Sequence, residues 1–233
     1  MTWSITARCP RTGQFGVAVS TCVPAVGSLC PFAQAQIGAV ATQSFVNPYL
    51  GTRGLQLLAD GLSAQEVKEE LLTFDPEPAL RQFAIVDTQG RSAAFTGDQC
   101  DGWAGHHVGD GFVVAGNMLV GQDTITAAVE AFEHASAESL AERLVRALEA
   151  GQAAGGDKRG RQSAAVKVVS TEDYPLVDLR VDEHPDPVAE LRRVFGVAQE
   201  QLFPFLDMLP TRDNPAGHFD LESSRELGIL KDS

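Results

Sequence analysis

The chain has 233 residues, enough for one large α/β domain or two small ones and enough to bury a real core. Its formal net charge of −13 repels phosphate backbones, which argues against nucleic acid as a partner. No apolar run approaches the roughly 20 residues that a membrane helix needs, and Arg8 and Pro10 interrupt the first stretch where an export signal would be apolar.

A cytoplasmic protein is therefore expected, with a small molecule as its partner and neither membrane nor nucleic acid. The four cysteines, Cys9, Cys22, Cys30 and Cys100, form no C-x-x-C pair and read as reduced thiols. Cys22 and Cys30 lie near the candidate site, so one reactive thiol stays open beside the reading of buried, inert sulfur.

In chain order, "WSITAR" and "FGVAVS" are rich in strand formers, and "CPRTG" between them is turn chemistry. Residues 2–20 are predicted as a β-hairpin. "IGAVATQSF" (37–45) reads as a closely packed strand of small residues. Gly51 and Gly54 flank the start of a helix carrying Leu55, Leu57 and Leu58. "SAQE" at Ser63–Glu66 is a capping box, and Val67, Leu71 and Leu72 form the helical stripe behind it.

Strands are predicted over 81–88, 91–97 and 111–120, separated by Gly/Asp turns. Two helices follow, one with Ile125, Val129 and Phe132 on a face, the next with Leu140, Leu144 and Leu148. A polar Gly-rich loop leads to strands over 163–170 and 176–182. A C-terminal helix starts with Asp186 as N-cap and Pro187 at its first position. Segregated blocks of strands and helices argue for α+β rather than a doubly wound sheet. One domain is expected over 1–206, with a loosely ordered tail over 207–233.

Several stretches could carry chemistry. Thr2 stands directly behind Met1. With Met1 removed it would offer a hydroxyl and a free α-amine, nucleophile and base on one residue. "ATQSFVNP" places Thr42, Gln43, Ser44 and Asn47 at a strand end, where binding groups collect; an Asn-Pro turn explains the same residues. "AGNML" sets Asn117 beside exposed backbone, as an oxyanion donor or a left-handed turn residue. "GGDKRGRQS" packs Lys158, Arg159 and Arg161 into an acidic chain. It lacks the Gly-Lys-Ser/Thr of a phosphate loop; the arginines suit a substrate carboxylate, or a solvated connection. His106 and His107 in "WAGHH" would point to opposite faces of a strand, so no metal site is expected.

The strings "TWSITAR", "GVAVS", "GAVATQSF", "AIVD", "AAFTG", "WAGH", "GNML", "RGRQSAA" and "DLRVD" together resemble the DUF1028 family, uncharacterised proteins assigned to the N-terminal nucleophile (Ntn) hydrolase-like superfamily. The resemblance runs from Thr2 to about Phe195. It implies a four-layer αββα sandwich, two antiparallel sheets between helical layers, with the first strand starting at the nucleophile. It further implies an amidohydrolase that needs no cofactor and acts on a small or carboxylate-bearing amide. Thr2 would attack, and Asn117 would stabilise the oxyanion. Arg159 or Arg161 would hold a carboxylate, and Thr42, Ser44 and Asn47 would shape the pocket. A homo-oligomer, a dimer first, is expected. The chain departs from the related proteasome β-subunits, because Lys68, Lys158, Lys167 and Lys231 all lie outside the amino-terminal strands. That keeps a second expectation alive: a degenerate scaffold that binds a small ligand without cleaving it.

Overall fold

The computed structural model describes residues 2–218, 220–226 and 228. The chain opens on β1 (Thr2–Arg8), which pairs antiparallel with β2 (Phe15–Thr21). The turn between them closes through Gly13, whose φ of 72° favours glycine. A short 3-10 turn (Val26–Ser28) leads to β3 (Pro31–Gln34) and β4 (Gly38–Ser44). Helices α1 (Pro48–Ala59) and α2 (Ala64–Phe74) follow, then β5 (Arg81–Asp87), β6 (Ser92–Thr96), β7 (Trp103–Gly109) and β8 (Phe112–Leu119). The rest runs α3 (Asp123–His134), α4 (Leu140–Ala153), β9 (Ser163–Val169), β10 (Val177–Val181), α5 (Pro187–Gln201), α6 (Phe203–Leu206) and α7 (Leu221–Glu226).

The strands form two antiparallel sheets, ordered β10-β9-β2-β1-β8-β7 and β3-β4-β5-β6. The sheets face each other through contacts such as β1 with β4 and β5 with β8. Helices α1 and α2 cover the four-stranded sheet, and α3 and α4 cover the six-stranded one. This is the α+β class expected from the block order, arranged as the sandwich of two antiparallel sheets between helical layers that the resemblance implies. Strand alternation builds three cores. Between the sheets lie Phe15, Val17 and Val19 of β2 against Ala39 and Ala41 of β4 and Ala84 of β5. The alanines let the sheets approach closely. Under α1 and α2 lie Val40, Leu50, Val67, Leu71, Phe83 and Ile85. On the far side Trp3 packs against Gly151 of α4. Full burial of side chains such as Leu50 and Leu71 stabilises by about 1.5–3 kcal/mol each.

The helix ends follow local chemistry. Asn47 caps α1 by accepting from Tyr49 N, and Pro48 takes the first position. The capping box at Ser63 and Glu66 is present on α2. That helix ends at Asp75, whose extended backbone is what the following Pro76 demands.

Gly51 and Gly54 lie inside α1 rather than before it, on its buried face. They let the helix lie flat on the sheet. A Cβ at Gly51 would overlap the ring of Phe32 on β3. Alanine gains about 1 kcal/mol of helix propensity over glycine, but overpacking costs about 1–3. Gly51→Ala is therefore expected to destabilise by about 1 kcal/mol. Thermal unfolding should show a drop of about 2–4 °C.

Three elements differ from the sequence reading. Strand β3 is short and half-buried, with little alternation to show it. Strand β7 is a sheet edge whose residues are mostly half or fully exposed, so its polar sequence hid it. The predicted C-terminal helix breaks between α5 and α6, where Pro204 cannot continue the ladder. Within the expected tail, α7 is helical; residues 219, 227 and 229–233 lie outside the described residues.

The chain divides into two compact units, Met1–Leu191 and Arg192–Ser233. The first holds both sheets and α1 to α4. In the second, Phe195 and Phe203 meet edge to face at 5.7 Å, and Met208 O accepts from His218 N. Among the described residues no helix is long and apolar enough to cross a membrane.

Candidate functional site

β1 runs between β2 and β8, and Thr2 sits at its end, opposite Thr21 on one side and Asn117 on the other. Alternation turns Trp3, Ile5 and Ala7 towards the helices and Thr2, Ser4 and Thr6 towards the second sheet. Thr2 is buried, 5% exposed. Its Oγ1 donates to Thr21 Oγ1 at 3.3 Å.

The Thr2 carbonyl is held by carboxamides from both sheets. Gln43 Nε2 donates to it at 3.3 Å and Asn117 Nδ2 at 3.2 Å. Gln43 faces Gln82 directly across the β4–β5 ladder. Gln82 Oε1 accepts from Gln43 Nε2 at 2.7 Å and from Asn117 Nδ2 at 2.9 Å. Gln82 Nε2 donates onward to Thr96 Oγ1, Gly105 O and Gly116 O. Each of these three amides is 2% exposed or less. Fully satisfied networks of this kind fix a single geometry in a low-dielectric interior. The network reaches His106, whose Nδ1 lies 2.8 Å from Thr96 Oγ1. Burial, with Lys68 and His107 nearby, holds the His106 pKa below its usual value. His107 turns the other way and stacks on Phe112.

Asp157 lies just past the start of β1. Its carboxylate accepts from Cys22 N, the residue after Thr21, at 3.2 Å. Its backbone bridges to Leu119, two residues after Asn117. It thus ties together the two strands that flank Thr2. Arg159 donates to the same carboxylate from Nε and from its terminal nitrogen, at 3.2 and 2.8 Å.

Thr2 opens into a cavity of about 300 Å³, whose wall includes Val26, Leu29, Gln43, Ser44 and Phe45. A second cavity of about 250 Å³ shares Ser44 and Phe45 with it and adds Gln99, Asp101, Asn117 and Met118. The walls of the two cavities are strained. Ser44 has φ 72° and Met118 φ 50°, a conformation that side-chain-bearing residues rarely adopt. Hydrogen bonds from Met118 N to Asp101 O and from Lys158 N to Met118 O hold Met118 there.

Each sequence candidate can now be placed. Thr2, Thr42 and Ser44 line the first cavity, and Ser44 and Asn117 line the second. Thr42 Oγ1 donates to Asn47 O at 3.2 Å. Asn47 lines neither cavity; it caps α1 and donates to Asp75 Oδ2 at 2.8 Å. Arg159 is drawn onto Asp157, and Arg161 pairs with Asp186 at 3.0 Å. Neither arginine lines either of these two cavities. Cys30 lines the first cavity, but burial pushes its thiol up to about 12, so it stays neutral. Among the described residues no group of three or more His, Cys, Asp or Glu side chains is placed to hold a metal ion. Gln82 and Asp157 are the residues that sequence reasoning did not single out. Their signals were a lone amide beginning an apolar strand and an acid heading the basic loop.

The outer wall of the cavity is fixed from behind. Arg81 pairs with both oxygens of buried Asp75, at 2.8 and 3.3 Å, and donates to Phe45 O at 2.6 Å. Burial alone would raise the Asp75 pKa, but hydrogen bonds from Arg81, Asn47 and Glu77 N outweigh it and hold it below the usual carboxylate range. A depressed folded value contributes stability above the unfolded pKa of about 3.9 and loses it as pH falls through the folded one. Removing one partner of such a pair strands the other charge. Asp75→Asn should therefore cost about 3 kcal/mol at neutral pH, and the gap from the parent should narrow as pH falls below about 4. Urea denaturation from neutral to acid pH checks both.

Comparison with known proteins adds the following. The model of a family of unknown function, DUF1028, matches residues 2–191. The crystal structure of protein SPO2555 from Silicibacter pomeroyi, of the same family, shares 31% identity and superposes with a TM-score of 0.86, covering 94% of this chain and 96% of that one. Anbu, an ancestral β-subunit from Yersinia bercovieri, shares 12% identity at a TM-score of 0.38, covering 86% of this chain and 96% of that one. No curated protein matches.

Proposed function

The chain belongs to the DUF1028 family, whose function is unknown, and within it we propose that this protein is an N-terminal-nucleophile amidohydrolase with Thr2 as the nucleophile. The observation that carries this reading is the position of Thr2: a buried hydroxyl at the end of a central strand, in the wall of a cavity, with its carbonyl clamped by Gln43 and Asn117. A nucleophile needs that kind of fixed geometry.

The reaction requires that the residue before Thr2 be removed. The freed α-amine, with a pKa near 8, takes the hydroxyl proton as Oγ1 attacks the amide carbon. The C–N bond breaks, and the amine leaves with that proton. Water then cleaves the threonyl ester, giving the carboxylic acid and restoring the hydroxyl. Asn117 acts here as a positioning residue. Its donors already point at Thr2 O and Gln82, so it holds the nucleophile's backbone in place. Asp157 positions the slot by tying the flanking strands.

The intact mass of untagged protein tests the premise. Loss of Met1, followed by turnover of a panel of small amides by the processed form alone, is the expected result. Full retention of Met1, or equal turnover by the unprocessed form, overturns the reading. A second reading is favoured by one feature: among the described residues the first cavity is lined by no Lys, His, Asp or Glu. It is a scaffold that binds a small ligand without turnover, and it predicts a ligand-induced rise in Tm with no product.

A further inference from the structure

We infer that the cavity beside Thr2 takes the acyl part of the substrate, and that this part is apolar and uncharged. The inference rests on the amidohydrolase reading for its orientation, but the character of the cavity stands independently.

Three observations carry it. First, Thr2 shares the cavity wall with Val26, Leu29, Cys30 and Phe45, and among the described residues no ionisable side chain except the neutral Cys30 thiol lines it; the α-amine that processing frees on Thr2 serves the attacking hydroxyl. A carboxylate at the far end of an acyl chain would lose its hydration there and find no side-chain cation among the lining residues, a penalty of several kcal/mol. The arginines that could have received one are drawn onto Asp157 and Asp186. Second, four lining residues, Val23, Leu29, Phe45 and Val46, also expose apolar surface to solvent at the mouth, with Phe45 69% and Leu29 46% exposed. Contiguous apolar exposure around a cavity marks a binding surface rather than chance. Third, this wall is rigid. Arg81 donates to Phe45 O and lies 5.4 Å from the Phe45 ring centre, and Phe45 N donates to Leu80 O. A preorganised apolar pocket loses little on binding.

The orientation follows from the second cavity. It holds Gln99, Asp101 and Asn117, polar groups suited to a departing amine. The acyl chain, retained through the ester, belongs on the apolar side. A volume of about 300 Å³ is at the lower end for ligand sites, so the acyl group is small.

The test uses the full, Met1-processed chain and amides of one fluorogenic amine, aminomethylcoumarin. The acyl groups are acetyl, hexanoyl, phenylacetyl and glutaryl. The hexanoyl and phenylacetyl amides should exceed acetyl by about 10-fold or more in kcat/KM, and glutaryl should fall below hexanoyl by at least as much. Leu29→Lys, at an exposed rim position that tolerates charge, should shrink the hexanoyl-to-glutaryl ratio about 10-fold. In parallel, hexanamide should raise Tm and glutaramate should not. Turnover that favours glutaryl, or a flat acyl series, overturns the inference and leaves the hydrolase reading standing. Selective hexanamide binding without any turnover upholds the apolar cavity and sinks the hydrolase reading. Failure to bind either amide, with no turnover, overturns the inference as well.

Discussion

Thr2→Ala is expected to lower amide turnover by about 10³-fold or more while leaving the fold intact. The two halves of this expectation have separate causes. The loss of rate follows from removing the hydroxyl proposed to attack, since the carbonyl clamp from Gln43 and Asn117 acts on the Thr2 backbone and survives the substitution. Stability should change little, because the hydroxyl makes one long hydrogen bond, 3.3 Å to Thr21 Oγ1. A neutral bond of that kind contributes about 1 kcal/mol at most. Thr2→Ser keeps the hydroxyl and should keep most of the rate. Intact masses must show that both variants lose Met1 as the parent does. Rates measured on the processed proteins then decide: an alanine variant within 10-fold of the parent would remove Thr2 from the chemistry.

What the sequence made legible was local. The hairpin turn at Gly13, the capping box at Ser63 and Glu66, and the Pro187 helix start all depend on residues a few positions apart. The short runs of small and apolar residues in β4 and β8 likewise announced strands. The site was only partly legible, because its partners meet through register and layer packing. Gln43 and Gln82 are 39 residues apart and meet only because β4 and β5 pair in that register. Asn117 and Thr2 are 115 apart. The basic loop misled for the same reason. Arg161 reads as an open cation until Asp186, 25 residues on, is seen beside it. Asn47 reads as a pocket residue until its role at the start of α1 accounts for it. Charge in a loop states what a residue could bind; only the fold states what it has already bound.

Gln82→Leu is expected to destabilise the protein by about 4 kcal/mol, far more than an ordinary core substitution. Leucine matches the side chain in size, so no large cavity forms, and the penalty comes from stranded polar groups. Gln82 Oε1 accepts from Gln43 and Asn117, and Gln82 Nε2 serves Thr96, Gly105 O and Gly116 O. Each buried group left without a partner costs about 1–3 kcal/mol. Relief within the network keeps the sum below simple addition. Gln43 retains Thr2 O and Ala115 O, and Asn117 retains Thr2 O. The Gly105 and Gly116 carbonyls lose the Gln82 donor. Urea denaturation at neutral pH measures the loss. A change below about 1 kcal/mol would mean that water enters and replaces the amide, which the burial of Gln82 argues against. The amide also links both sheets to the Thr2 backbone, so the same variant should slow turnover under conditions where it is still folded. A variant that is destabilised yet turns over at the parent rate would show that Gln43 and Asn117 hold Thr2 without their shared partner.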